Sequence, residues 1–241
     1  VHRAVLATLG LLGLAVGSFG DELPGERRSV RVGGHERTYF VHSPPGMPRG
    51  QAAPVVLVFH GGRGDAAATA RLTGLNRVAD AHAFRTVYPE GLDRHWNDGR
   101  GMSSADDTGF VAALLDQMRA SEPPEPARVY ATGISNGGFF SVRLACDLPD
   151  RIAAIAVVAA TMPEALPAEC RPGRAVSVVF FFGDQDPLVK IGGGSVAFNR
   201  GRSLSLADAV SFWRRQDGIT DPPRREELPK QSPDDPTRVV R

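Results

Sequence analysis

The chain has 241 residues, 42% of them hydrophobic and 23% charged, a balance that fits one soluble globular core and sets it apart from disordered or membrane-embedded polypeptides. Its 28 basic and 27 acidic side chains leave a formal net charge of +1. There is no basic helix or zinc-finger spacing to gather phosphates, so nucleic acid is not an expected partner.

Residues 4–17 form an apolar run preceded by Arg3 and followed by the small residues Gly17, Ser18 and Gly20, the pattern of a secretion signal over residues 1–20. The run is too short to span a ~30 Å hydrocarbon layer comfortably. The expectation is therefore a secreted or periplasmic protein with no stable membrane association after cleavage; a retained anchor is the alternative. Two cysteines, Cys146 and Cys170, are too few for a cysteine-stapled fold but suit one disulfide in an oxidising compartment. Two buried free thiols are the other reading.

Residues 29–32 and 37–41, separated by Gly33 and Gly34, predict an edge hairpin. Residues 54–59 (Pro-Val-Val-Leu-Val-Phe) read as a buried strand ending in the flexible turn His60-Gly61-Gly62-Arg63-Gly64. Helical spacing follows in residues 107–119, where Phe110, Val111, Leu114, Leu115 and Met118 share a face. Pro123, Pro124 and Pro126 stop that helix. Residues 128–132, 151–160 and 175–182 supply further strand-like runs, with helix-sized stretches at residues 136–146 and 206–213. Strands separated by helices predict a three-layer α/β domain with a mostly parallel sheet over residues 29–241. The tail from residue 221 is rich in proline and charge, and residues 238–241 look like the start of a strand.

The sharpest chemical signal is Gly133-Ile134-Ser135-Asn136-Gly137, set between a strand and a helix. Small flanking residues permit a tight turn that exposes a serine hydroxyl at a helix N-terminus, a setting for a nucleophile. A helix-capping serine is the bland reading. The backbone amides of Asn136 and of Gly61 or Gly62 can face a developing oxyanion, which leaves His60 as a loop organiser. Asp184 and Asp186, just beyond the strand ending near Phe182, are both able to orient an imidazole or merely to cap a turn. Trp96 and Asn97 are candidates for a substrate cleft, with scaffold packing the equal alternative for the tryptophan. Asp106 and Asp107 suit capping of the following helix. No histidine, cysteine and carboxylate cluster suggests a metal, and no cofactor is expected.

The set His60-Gly61-Gly62, Trp96-Asn97-Asp98-Gly99, residues 106–110, Gly133 to Gly138 and residues 183–189 resembles the secreted polyhydroxybutyrate depolymerase and feruloyl or acetylxylan esterase-like α/β-hydrolases, from about residue 29 to residue 241. That resemblance implies Ser135 as nucleophile, Asp186 rather than Asp184 as the acid, a Cys146–Cys170 bridge and a substrate cleft near Trp96. The chain departs from the pattern at Phe182, commonly histidine, and at Lys190, commonly proline. The implied activity is hydrolysis of a carboxylic ester, either a polyester oligomer or an acylated carbohydrate. The competing readings are a noncatalytic carbohydrate- or polyester-binding protein on the same scaffold and a membrane-retained structural protein.

The order expected in such enzymes is nucleophile, acid, histidine. All six histidines precede Ser135. The sequence therefore predicts a domain without its carboxyl-terminal strand and histidine loop, and impaired turnover.

Overall fold

The computed structural model describes residues 23–230, 232, 234 and 236–241; the proposed signal at residues 1–20 lies outside them. The predicted edge hairpin is present and longer than expected, as β1 (Glu26–Val32) and β2 (His35–His42), paired antiparallel. Gly33 and Gly34 both take positive φ at its turn, which a side chain would resist. β3 (Ala53–Phe59) follows, then α1 (Ala66–Thr73), α2 (Leu75–His82) and β4 (Arg85–Pro89). The remaining core comprises α3 (Asp107–Ser121), β5 (Pro124–Ile134), α4 (Asn136–Asp147), β6 (Ala154–Val158) and β7 (Ser177–Phe181). A two-stranded ribbon, β8 (Gly194–Ser195) with β9 (Arg202–Ser203), precedes α5 (Leu206–Gln216).

Seven strands form one sheet in the order β1-β2-β4-β3-β5-β6-β7. Pairing is antiparallel from β1 to β4 and parallel from β4 through β3 to β7. Alternate residues of β3 show why the strand reads as a continuous apolar run: Val55, Leu57 and Phe59 enter one core, Val58 enters a second core, and Val56 packs against that second core. The first core also takes apolar side chains of α3, α4 and α5, and the second takes Ala66, with Ala70 and Leu75 packed on it. At β3 the sheet is covered on both faces, which explains an apolar run without polar alternation. Among the described residues, no helix is long and apolar enough to cross a membrane.

Two boundaries differ from the sequence expectation. β5 begins at Pro124, four residues early, with Ala127 at φ 58° and a register shift against β3; prolines are tolerated at such an irregular strand start. The strand expected at residues 238–241 reduces to a single bridge between Glu227 and Val240. β7 lies at the edge, where Val179 and Phe181 are 45% and 58% exposed.

Cys146, on α4, is bonded to Cys170 across a separation of 24 residues. Closing a loop of that size removes unfolded-state entropy worth ~3 kcal/mol. The Cys146→Ala/Cys170→Ala protein is expected to lose about that much in urea melts; unchanged stability under oxidising conditions would show that the bridge adds nothing.

Candidate active site

β5 ends at Ile134 and α4 begins at Asn136, so Ser135 alone turns the chain from sheet to helix. It sits at φ 54° and ψ −117°, backbone that a non-glycine residue keeps only when its surroundings dictate it. Here the Ser135 amide donates to the Val158 carbonyl at 2.9 Å and its carbonyl accepts from Phe139 N at 2.9 Å. The Ser135 hydroxyl makes no capping bond to the helix, which disfavours the bland reading of a cap.

The flanking glycines serve close approach. Neither Gly133 nor Gly137 has positive φ, but a Cβ on Gly133 would lie 2.5 Å from the Gly137 carbonyl oxygen, and one on Gly137 would lie 2.6 Å from that of His60. The start of α4 thus presses on the end of β3, and the loop after β3 reaches Ser135. A Cβ on Gly61 would stand 3.8 Å from that of Ser135, and one on Gly62 would stand 3.7 Å from that of Asn136. The amides of Gly61, Gly62 and Asn136 donate to no acceptor among the described residues. Unspent amides on residues packed around Ser135 are suited to holding an oxyanion.

His60 is fully buried; Nδ1 lies 2.8 Å from the Gly61 carbonyl, and Nε2 accepts from Gly91 N at 3.0 Å. A carbonyl can only accept and an amide can only donate, so the ring is neutral with its hydrogen on Nδ1. Burial lowers its pKa, outweighing the Gly61 hydrogen bond. A base whose folded pKa lies below its unfolded value of ~6.5 stabilises the fold above that pH, and the contribution disappears as pH falls through the window below it. Melting temperature should therefore drop from about pH 6.5 towards pH 5, with a shallower drop in His60→Gln. Parallel pH profiles for the two proteins would remove His60 as the cause.

The substrate contact expected of Trp96 is corrected by its burial, while Asn97 is half-buried and bonded within the scaffold. Trp96 has no exposed surface: it stacks on Phe140 with centroids 5.1 Å apart, meets Phe59 edge-on at 5.2 Å, and donates Nε1–H to the His60 carbonyl at 3.0 Å. It supports the oxyanion loop from beneath. Asn97 spends its side-chain amide on the Ala105 carbonyl and its backbone amide on Asp107. An aromatic beside polar residues has the same sequence appearance in a cleft wall and in a buried scaffold.

The supporting roles of several side chains were not legible in the sequence. The Asn136 side chain accepts from Trp96 N at 2.8 Å and donates to the Trp96 carbonyl and to Asp98, at 3.0 and 2.7 Å. Asp98, buried, also binds Arg100, whose Nη1 donates to the Arg200 carbonyl. That chain of contacts links α4 to the loop carrying Val196, Phe198 and Arg200, which lines the cleft over Ser135 together with His95, Met102 and Leu188. Asp106 caps α3 as expected, accepting from Gly109 N at 2.8 Å, while Asp107 is buried against Arg37 at 2.6 Å.

Of the two candidate acids, Asp186 is held by the amides of Leu188 and Val189 at 2.8 and 3.0 Å through Oδ1. Asp184 is exposed and makes no such bonds among the described residues. Leu188 and Val189 share the cleft with Ser135, which brings the Asp186 turn to its border. Among the described residues, no group of three metal-ligating side chains converges.

A doubly covered, mostly parallel sheet with a strained serine between strand and helix defines an α/β-hydrolase-like core. The chain belongs to the esterase PHB depolymerase family, whose model matches residues 37–170, more than half of its length. NocK of Nocardia uniformis subsp. tsuyamanensis, which carries an esterase designation, is 35% identical over 86% of this chain and 64% of its own length. Feruloyl esterase B of Piromyces equi is 26% identical over 78% of this chain and 37% of its own length. The chain thus spans less than two thirds of either relative. The structure of native sOPH shares the fold at a TM-score of 0.58 and 16% identity, covering 80% of this chain and 77% of that one.

Proposed function

We propose that this chain is the core of a secreted or periplasmic serine hydrolase acting on carboxylic esters of a polyester oligomer or an acylated carbohydrate. The observation that carries the reading is Ser135 at φ 54° beside the unspent amides of Gly61, Gly62 and Asn136. Ser135 attacks the ester carbonyl and gives up its hydroxyl proton, and the three amides stabilise the oxyanion. The alcohol leaves protonated as the intermediate collapses to the acyl-serine, and water hydrolyses that ester to the free acid and restores the serine. Asp186 is the acid, its orientation supported by the two turn amides it accepts from. Residues 1–20 are read as the signal and residues 29–241 as the hydrolase domain; the Cys146–Cys170 disulfide suits the oxidising compartment that reading requires.

The general base is the component the 241 residues do not provide in its usual order, since no histidine follows Asp186. Ser135 needs an adjacent general base to act as an efficient nucleophile.

A fluorophosphonate probe tests the nucleophile directly. Ser135 is expected to become covalently labelled, slowly at neutral pH, and Ser135→Ala to show no labelling and no ester turnover above a protein-free control. The competing reading is a noncatalytic binding protein on the same scaffold. That reading predicts saturable carbohydrate or polyester binding with Ser135 unlabelled even after prolonged exposure.

A further inference from the structure

The tip of the β8–β9 ribbon faces Ser135 across its cleft. One wall carries Gly62, Ser135 and Asn136, and the opposite wall carries Leu188, Val196, Ala197, Phe198 and Arg200. The free space between them is about 20 Å³, room for a single water molecule. Sites that hold small ligands measure ~300–1,000 Å³. An ester whose substituents enter between these walls must therefore displace one of them.

The serine wall is pinned by the close backbone approach of α4 to the end of β3, so the ribbon is the wall that can give. Its root is anchored: Val196 is 6% exposed and packs in the main core, Ser203 is 2% exposed, and Leu204 N donates to the Met162 carbonyl at 2.8 Å. Between these anchors, residues 197–201 contribute no buried side chain. Beyond the ribbon's own hydrogen bonds, two fasten this tip among the described residues. Ala197 N donates to the Leu188 carbonyl at 2.9 Å, and Arg100 Nη1 donates to the Arg200 carbonyl at 3.1 Å. A segment with few buried contacts and few bonds is among the first to open. The latch itself is rigid. Arg100 Nη2 donates to Asp98 at 2.6 Å, its guanidinium lies 3.8 Å from the Phe139 ring centroid, and Asp98 also accepts from the Asn136 side chain at 2.7 Å.

The tip is also strained. Phe198 and Asn199 hold consecutive left-handed backbone, at φ 60° and 55°; asparagine tolerates it, but a bulky aromatic there is an outlier. Such strain tends to be retained at functional sites. Phe198 lines the Ser135 cleft while 78% exposed. We infer that residues 197–201 are a movable cover that sets which esters reach Ser135, with Phe198 as the specificity-determining residue. Closed, the cover excludes bulky groups from the space beside the oxyanion amides; release of the Arg200 carbonyl from Arg100 opens it. What the cover admits rests on the reading of Ser135 as a nucleophile, whereas its movement does not.

Methanesulfonyl fluoride and phenylmethanesulfonyl fluoride test the filter. Each forms a sulfonate ester with an activated serine, with loss of fluoride and the hydroxyl proton, but they differ in the group that must enter beside it. The ratio of their labelling rates, bulky over small, compared between proteins cancels the reactivity of the serine itself. Phe198→Gly removes the ring and suits left-handed backbone, and should raise the ratio about tenfold. In Gly201→Ala the added Cβ would stand 2.8 Å from the Arg100 carbonyl oxygen; by prising the tip off its latch it should raise the ratio about fivefold. Leu72→Ala, at a 70% exposed site on α1, should leave the ratio unchanged. Hydrogen–deuterium exchange reads the movement without the serine: amides of residues 197–201 should exchange about fivefold faster in Gly201→Ala, with α5 unaltered. The inference is overturned by an unchanged ratio in folded Phe198→Gly, by equal acceleration of both reagents, or by unaltered exchange at the tip of Gly201→Ala. Faster exchange at the tip with Ser135 unlabelled by either reagent would defeat the nucleophile reading and leave the cover standing; labelling with ratio and exchange unchanged would do the reverse.

Discussion

Gly137→Ala is expected to destabilise the protein by ~4 kcal/mol, beyond the usual overpacking cost of 1–3 kcal/mol. The added carbon would lie 2.6 Å from the His60 carbonyl oxygen and would also clash with that of Phe59. Both are backbone atoms at the end of β3, so no rotamer change relieves the contact. Relief requires α4 to back away from the sheet, which moves Ser135 off the amides of Gly61 and Gly62. Gly33→Ala is the informative control: its Cβ would meet nothing within 4 Å, and the strain comes only from φ +57°, for ~1 kcal/mol. Urea melts of the two variants check the contrast. Equal losses would mean that the approach of α4 to β3 is softer than its geometry indicates.

A loss of similar size, ~3–5 kcal/mol, is expected for Asp107→Ala, because it strands the buried Arg37 guanidinium. Asp107 accepts from Arg37 at 2.6 Å and from Asn97 N at 2.7 Å. Burial pushes the Asp107 carboxyl above its ordinary pKa, against the Asn97 and Arg37 hydrogen bonds that favour its charged form. Without the carboxylate, Arg37 retains the Glu90 carbonyl and the face of Phe110, 4.2 Å from the ring centroid. Replacing both partners, as Arg37→Met with Asp107→Leu, should recover most of the loss by leaving no charge to desolvate. Equilibrium unfolding of the single and double variants separates the two accounts. A double variant as unstable as Asp107→Ala would show that packing around Asp107, rather than Arg37's stranded charge, was the larger factor.

The fold was most legible where one rule acts alone. β3 is apolar because both sheet faces are covered there, β6 sends Ile155 and Val157 into the main core, and α3 carries its core residues at helical spacing. β4 escaped because it opens with Arg85 and Thr86, polar yet fully buried: Arg85 is paired with Ser43 and the Gln51 carbonyl, and Thr86 with Asn76. Those partners are distant in sequence, so nothing local marks the strand. The insertion of β4 between β2 and β3 was equally hidden, since strand order depends on pairing across the sheet. In the site, Ser135 and the glycine loop were readable because tight backbone geometry demands small residues at fixed spacing. Trp96, Asn97 and the Asn136 side chain were not, because their roles depend on which groups face them after folding. Asn136 and Trp96 are 40 residues apart.

The aromatic support under the oxyanion loop also makes the protein its own spectroscopic gauge. The chain has two tryptophans, and they occupy separate regions: Trp96 against Phe140 and the His60 carbonyl, Trp213 on α5 beside Phe212. Trp213→Phe leaves one emitter, whose colour and quenching depend on how tightly the loop beside Ser135 is seated. A shift in that emission ahead of the far-ultraviolet circular dichroism transition would time the loosening of the loop separately from the melting of the sheet.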